Sequence, residues 1–379
     1  MLFEQGPIRP PSEAGSLLLR FTRNCPWNKC EFCITYKGAR FSKRSLDEIF
    51  RDIDAVVAII EDVKERSWRE GYGGQITRSL VSEILRDPIL HEQYKHVAVW
   101  LYRGTYNVFI QDANSLIMKT DELVKALTYL KQRIPKIKRI TSYARASTLV
   151  RKSVQELKEL KDAGLTRIHV GMESGCDKVL KFIKKGVTSK QLIESGKKVK
   201  EAKITLSEYI MPGLGGKEFS KEHSKSSAQI LNEINPDFIR LRTLQVIPGT
   251  PLYDKLIKGE FKPLSEDEVV LEIRDFISRL ENITSTITSD HIRNLLEEVE
   301  GNYPEDKQKM INIIDEYLSM SDEDRQLFRL GRRGGGLRSV KELFFPGVRE
   351  KLKRAKAELE KSEGKSIDEI IFEMACEML

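Results

Sequence analysis

At 379 residues the chain is long enough to bury one large core with an appendage, or two domains. With 40% hydrophobic and 32% charged residues the composition is that of an ordinary soluble protein, and no run approaches the roughly 18 consecutive apolar residues a membrane span needs. Sixty-four basic against 57 acidic residues leave a net charge of +7, a small and mixed surplus that permits nucleic acid or an anionic substrate without arguing for either.

The N-terminus, MLFEQGPIRPPSEAG, has neither a basic leader region nor an apolar one, so a cytoplasmic location is expected. Three of the five cysteines fall between positions 25 and 33. In a reducing compartment such a knot reads as a metal site rather than a disulfide framework.

In chain order, Gly15–Thr22 is a short apolar run that predicts a strand feeding into the cysteine loop. From Leu46 the apolar residues Ile49, Phe50, Ile53, Val56 and Val57 recur at helical spacing, with Ser45 as the cap. Residues 64–96 break the alternation and read as an inserted, mostly helical excursion. Strands are then predicted at Asn107–Gln111, Arg139–Tyr143, Thr166–Gly171, Thr205–Met211 and Phe238–Val246. Helices are predicted between them at Asp121–Gln132, Val154–Ala163, Cys176–Lys185, Ser189–Ala202 and Lys221–Glu233.

Six strand–helix repeats by about residue 255 imply an α/β fold with a parallel sheet, either an open doubly wound sheet or a partial barrel. After Gly249-Thr-Pro251 the pattern changes. Residues 265–379 lack convincing strands and carry charged helical patterns at Glu350–Lys361 and Asp368–Met378. A boundary near residue 260 therefore separates a core, 1–260, from a helical C-terminal region, 261–379, which with the 64–96 insert is the expected source of substrate specificity. Gly331-Arg-Arg-Gly-Gly-Gly-Leu-Arg338 reads as a solvated linker, or as a basic loop that grips an anion. Met374, Met378 and Leu379 read as closing a helical core, and His223 and His291 as surface or capping residues.

The central motif is Cys25-Pro-Trp-Asn-Lys-Cys30-Glu-Phe-Cys33. Soft thiolates at this spacing suit zinc or an iron–sulfur cluster. A structural zinc site wants a fourth ligand from a second Cys or His pair, and the other thiols, Cys176 and Cys376, stand isolated. Three thiolates suggest a cluster with one iron left open.

This loop resembles that of the radical S-adenosylmethionine (SAM) superfamily, with one residue more than the common spacing. The resemblance implies that Cys25, Cys30 and Cys33 ligate a [4Fe–4S] cluster, that SAM chelates the fourth iron, and that Phe32 packs near the adenine. It extends over about residues 15–255, to the branch containing oxygen-independent coproporphyrinogen oxidases and methylthiotransferases. Gly171-Met-Glu-Ser-Gly175, with Val179-Leu180 and Lys185-Gly-Val-Thr188, is similar to that branch's fourth-strand motif. By similarity Glu173 hydrogen-bonds SAM and Lys185 faces its carboxylate. Tyr209-Ile-Met-Pro-Gly213 and its following glycines resemble the fifth-strand motif, and Val246 begins a segment like the end of the sixth strand, where backbone meets adenine. Asp112 stands where the family often has glycines that bind the methionine amino group, and Arg145 points to the same rim.

The fold so implied is a partial (β/α)6 radical SAM barrel with a helical C-terminal region. The activity implied is oxidoreductase-type: one electron cleaves SAM to a 5′-deoxyadenosyl radical, which abstracts hydrogen from a small molecule or cofactor precursor. A reductase or ferredoxin-type electron donor is implied as partner, and no catalytic side chain is singled out. Two scattered cysteines are too few for a second cluster, and no Asp-x-His-x-x-Gly loop for cobalamin is present. Two other readings keep the same cofactor sites: a non-catalytic haem carrier, and an RNA-modifying enzyme, against which the modest charge argues.

Overall fold

The computed structural model describes residues 2–377, so Met378 and Leu379 lie outside the described residues. The chain divides into two compact units. The first comprises the chain through Asn28, Thr35–Val170 and Glu194–Leu206; the second comprises Lys29–Ile34, Gly171–Ile193 and the chain from Ser207 onward.

The first unit holds β1 (Leu17–Arg20), β2 (Thr22–Arg23), β3 (Ser42–Lys43), β4 (Asn107–Gln111) and β5 (Arg139–Ala144). It also holds the start of β6 (Leu165–Glu173), which runs on into the second unit. β1, β4, β5 and β6 pair in parallel in that order, with Leu18 beside Phe109, Phe109 beside Thr141 and Ser142 beside Ile168. β2 and β3 form a separate antiparallel pair. Leu17, Leu19, Val108, Phe109 and Ile140 are buried without a solvent-facing alternation, as befits parallel strands covered by crossover helices.

The helix Leu46–Arg69 starts where Ser45 and Glu48 close a capping box, and it buries Ile49, Ile53, Val56 and Val63. It runs past residue 64, so the expected start of the insert falls inside a continuous helix. Two further helices, Arg78–Arg86 and Glu92–Arg103, follow within the 64–96 region and just beyond it; the second packs on Leu46–Arg69.

The second unit contains most of β7 (Thr205–Ile210), then β8 (Phe238–Leu241), β9 (Thr286–Thr288) and β10 (Gly301–Asn302). β7, β8 and β9 are parallel, and β10 closes antiparallel on β9. Two expectations are corrected here. The strand predicted at Phe238–Val246 ends at Leu241, after which Arg242 and Leu244 donate to Ile210 and Pro212 in an irregular extension. The region after 265 does contain strands, but at three and two residues they are too short to leave a period.

Helix follows β4, β5, β6, β7 and β8, and follows β1 after the short β2–β3 pair, giving the α/β content of a partial (β/α)6 barrel and then a mostly helical C-terminal region. The last helices, Asp322–Arg333, Val348–Glu363 and Ile367–Glu377, share a small core of Leu330, Ile367 and Ile371, against which Met374 packs. The linker reading of 331–338 is corrected at its start. Arg332 and Arg333 form the last turn of a helix and are buried, because Arg333 pairs with Glu266 and donates to the Ile292 and Arg293 carbonyls.

Candidate functional site

All five cysteines are free thiols. Cys25 belongs to the first unit, Cys30 and Cys33 to the second. Among the described residues no three His, Cys, Asp or Glu side chains are gathered as a metal shell. The donor chemistry nonetheless fits an iron–sulfur cluster: three soft thiols on one short loop, none committed to a disulfide.

In the first unit, Asn24 and Asn28 adopt left-handed backbone on either side of Cys25, a conformation asparagine tolerates better than most residues. The Asn28 amide donates to Cys25 Sγ at 3.4 Å, and the Asn28 side chain donates to the Tyr36 carbonyl. Asp112 is fully buried, and its Oδ2 accepts from Arg20 Nε at 2.8 Å, from Arg20 Nη2 at 2.5 Å and from the Asn24 amide at 2.8 Å. This carboxylate therefore fastens the entry of the cysteine loop to the end of β1. Burial and the Asp112 carboxylate push the neighbouring Tyr36 phenol far up. Arg145 sits with its guanidinium 5.2 Å from the ring centre of Trp27, a cation–π contact onto the same loop.

In the second unit, Glu31 anchors the other half of the loop. Its amide donates to the Ile183 carbonyl, its carbonyl accepts from the Leu252 amide, and its carboxylate meets Lys184 at 2.8 Å and Lys255 at 2.5 Å. Burial pushes that carboxyl up, but the two lysines outweigh it and hold it below the usual range. Phe32 packs against the buried groups Val246, Leu252 and Phe261 and against Cys176, Met211 and Leu214.

Lys185 Nζ lies 5.8 Å from the Phe32 ring centre and 2.9 Å from Glu173 Oε1. Glu173 ends β6 with φ of +64°, a strained backbone for a non-glycine residue, and its carbonyl accepts from the Met211 amide. Gly171 makes room for this pair. A Cβ there would stand 2.3 Å from Glu173 Oε1 and 3.1 Å from Lys185 Nζ.

Glu208, on β7, is fully buried, and among the described residues neither carboxylate oxygen has a hydrogen-bond partner. Burial and the Glu173 charge drive its carboxyl well above the ordinary value, with Lys185 pulling the other way. Tyr209, next on the strand, is buried beside Arg240 of β8 in the ladder.

Gly213 turns with φ of +86°, and its amide donates to Glu272 at 2.6 Å. Glu272 also stands 3.7 Å from His223, whose Nδ1 is 2.8 Å from Ser174 Oγ. His223 is thus corrected from a surface residue to a buried one. Burial lowers its pKa despite Glu272, and it links the loop after β6 to the loop after β7. Glu31, Glu208, His223 and Glu272 escaped the sequence reading, where the one available signal was the lone charge of Glu208 inside an apolar strand.

The family model of the radical SAM superfamily matches residues 19–225, and that of the radical SAM C-terminal domain matches 236–320. A tRNA uridine(34) acetyltransferase of Methanocaldococcus infernus is 29% identical over 119 residues, and its counterpart in Methanocaldococcus jannaschii 27% over 117. Each alignment takes 31% of this chain and 22% of the relative, so the chain matches about a fifth of those proteins' length. Among solved structures, Methanocaldococcus infernus Elp3 with an N-terminal deletion gives a TM-score of 0.40 at 21% identity, covering 48% of each chain. Methylornithine synthase (PylB) gives 0.40 at 13%, covering 88% of this chain and 86% of that one. Among the described residues no helix is long and apolar enough to cross a membrane. A family match over more than half of the chain, on a strand–helix core that opens with a free-thiol loop, establishes that the protein belongs to the radical SAM superfamily of enzymes, which use a [4Fe–4S] cluster and SAM.

Proposed function

We propose that Cys25, Cys30 and Cys33 hold the [4Fe–4S] cluster and that the chain uses it to abstract hydrogen from a small-molecule substrate. When bound, reduced cluster and SAM together supply a 5′-deoxyadenosyl radical. The chain's own residues bind, orient and exclude water. Lys185 exchanges Glu173 for the carboxylate of SAM, and Glu173 accepts from its hydroxyl or ammonium groups. Phe32 packs near the adenine, the backbone at Val246 meets it, and the backbone at Gly213 is presented to the cofactor. Asp112 and Arg145 hold the cysteine loop in place through Arg20, Asn24 and Trp27. Burial and the charge of Glu173 favour the neutral form of Glu208 on β7.

The observation that carries this reading is the position of Phe32, between Cys33 in sequence and Lys185 in space, on a bed that includes Val246. Anaerobic reconstitution is expected to yield about four irons per chain. A Cys25/Cys30/Cys33 triple alanine variant that keeps its full iron content sinks the assignment of the ligands. Electrons come from a reductase or a ferredoxin-type donor. The region from 261 onward, with the 64–96 insert, shapes substrate choice.

A second reading takes RNA as substrate, and what favours it is the sequence likeness to two tRNA uridine(34) acetyltransferases. It calls for tRNA binding that weakens steeply between low and moderate salt. Salt-insensitive or undetectable tRNA binding removes it.

A further inference from the structure

Two loops of the second unit carry residues assigned to SAM. One follows β6 and begins at Glu173; the other follows β7 and reaches Gly213. The Met211 amide joins them, donating to the Glu173 carbonyl at 3.0 Å. Glu173 has a φ of +64°, a backbone that a non-glycine residue keeps only where its surroundings enforce it.

Behind the two loops lies a row of buried polar groups. Ser174, next to Glu173, has its Oγ 3.1 Å from the Cys176 amide, which donates to it, and 2.8 Å from His223 Nδ1. His223 comes from the helix Gly216–Ile234, and its Nε2 lies 3.7 Å from Glu272 Oε1. Glu272, buried on the helix Glu266–Ser278, accepts from the Gly213 amide at 2.6 Å and from Ser220 Oγ at 2.5 Å. A carboxylate only accepts, so the imidazole turns its N–H on Nε2 to Glu272 and leaves Nδ1 to accept the Ser174 hydroxyl. Burial disfavours a second proton on the ring, while Glu272 and the Met211 carbonyl act the other way. Buried polar groups are costly unless paired, and the pairs made here lead to both loops.

We propose that Ser174, His223 and Glu272 are positioning residues that fix the Glu173 and Gly213 loops in the arrangement that takes SAM. They act through Glu173 and the Gly213 backbone, not by contact with the cofactor. The inference rests on the SAM reading of the site and adds what preorganises it. Loops already held in place lose little freedom on binding, which raises affinity.

The test is equilibrium titration of SAM into the full-length, cluster-reconstituted protein and its variants, with iron counted in each. Ser174→Ala cuts the row at one end and Glu272→Leu at the other. Each is expected to raise the Kd for SAM about tenfold at the iron content of wild type. In dithionite-driven release of 5′-deoxyadenosine the KM for SAM should rise by more than the rate at saturating SAM falls. Glu272→Gln keeps an acceptor for the Gly213 amide and is expected to restore affinity to within about threefold of wild type. Glu13→Gln, which loosens a buried network in the first unit, should leave SAM affinity as it is.

Wild-type affinity in Ser174→Ala overturns the proposal, including where Glu272→Leu fails to fold. Glu272→Gln binding no better than Glu272→Leu, or Glu13→Gln binding as weakly as Ser174→Ala, overturns it too. Lys185→Met separates the two levels. If it weakens SAM while Ser174→Ala and Glu272→Leu do not, only the positioning role is lost; if all three bind as wild type, the SAM reading of these loops is lost.

Discussion

Lys185 Nζ stands 2.9 Å from Glu173 Oε1, and both side chains are mostly buried, so the two residues assigned to SAM are each other's counterion in the protein alone. On the proposed reading, SAM takes the place of each partner, pairing with Lys185 and donating to Glu173. Lys185→Met removes the cation proposed to face the SAM carboxylate and is expected to raise the Kd for SAM at least tenfold, or about 1.4 kcal/mol. Glu173→Gln keeps an acceptor and should weaken binding less. Equilibrium titration of both variants checks the order; equal affinity across wild type and variants contradicts the pair's role.

Glu208 gives a pH signature. Its carboxyl is raised well above 4.5 by burial and by Glu173, so the folded state holds a proton that the unfolded chain releases. Stability from this group is full below pH 4.5 and declines as the pH rises toward the folded value. Glu208→Gln has no proton to lose, so its melting temperature should fall less than that of wild type as the pH rises from 5 to 8. Parallel melting curves across that range count against a neutral Glu208.

At Glu13 the sign is opposite. This buried carboxylate accepts from Ser16 at 2.5 Å and Arg139 at 2.9 Å and lies 3.5 Å from His169. Burial pushes it up, but His169, Ser16 and Arg139 together lower it from 4.5 to about 2. Its contribution to stability is complete above pH 4.5 and is lost as the pH falls through about 2. Glu13→Gln is expected to cost about 1–3 kcal/mol in denaturant unfolding at neutral pH and to flatten the acid limb. A variant as stable as wild type at neutral pH refutes this account of the network.

Asp112 is expected to act on the cluster through the loop. Asp112→Asn leaves Arg20 without the carboxylate that joins it to the Asn24 amide. Iron retained after anaerobic gel filtration should drop by half or more, and iron in Arg145→Gln, which loses the ring contact with Trp27, should drop as well. Full iron retention in Asp112→Asn argues against loop fastening.

Much of the core was legible because local patterns agreed with the fold. Val108-Phe-Ile110 is an apolar run between turn residues, and β4 spans Asn107–Gln111 as expected. Ser45 announces a helix as its cap, and the helix begins there. What escaped was whatever depends on a partner distant in sequence. His223 looks like a surface residue until Ser174, 49 positions earlier, and Glu272 close around it. Arg332 and Arg333 sit in a glycine-rich basic run, yet Glu297, Glu266 and the carbonyls of 292–294 draw them inside. The lone charge of Glu208 inside an apolar strand was the one local sign of a buried carboxylate, and it does not name the Glu173 charge that acts on it.

The radical chemistry proposed for this chain requires that Cys25, Cys30 and Cys33 hold the cluster that cleaves SAM. Its most direct test is to measure 5′-deoxyadenosine released when the oxygen-protected, reconstituted protein is given SAM and dithionite. The expected result is release by wild type and none by Cys30→Ala. Equal release by both, or none from a wild type that carries its full complement of iron, would contradict it.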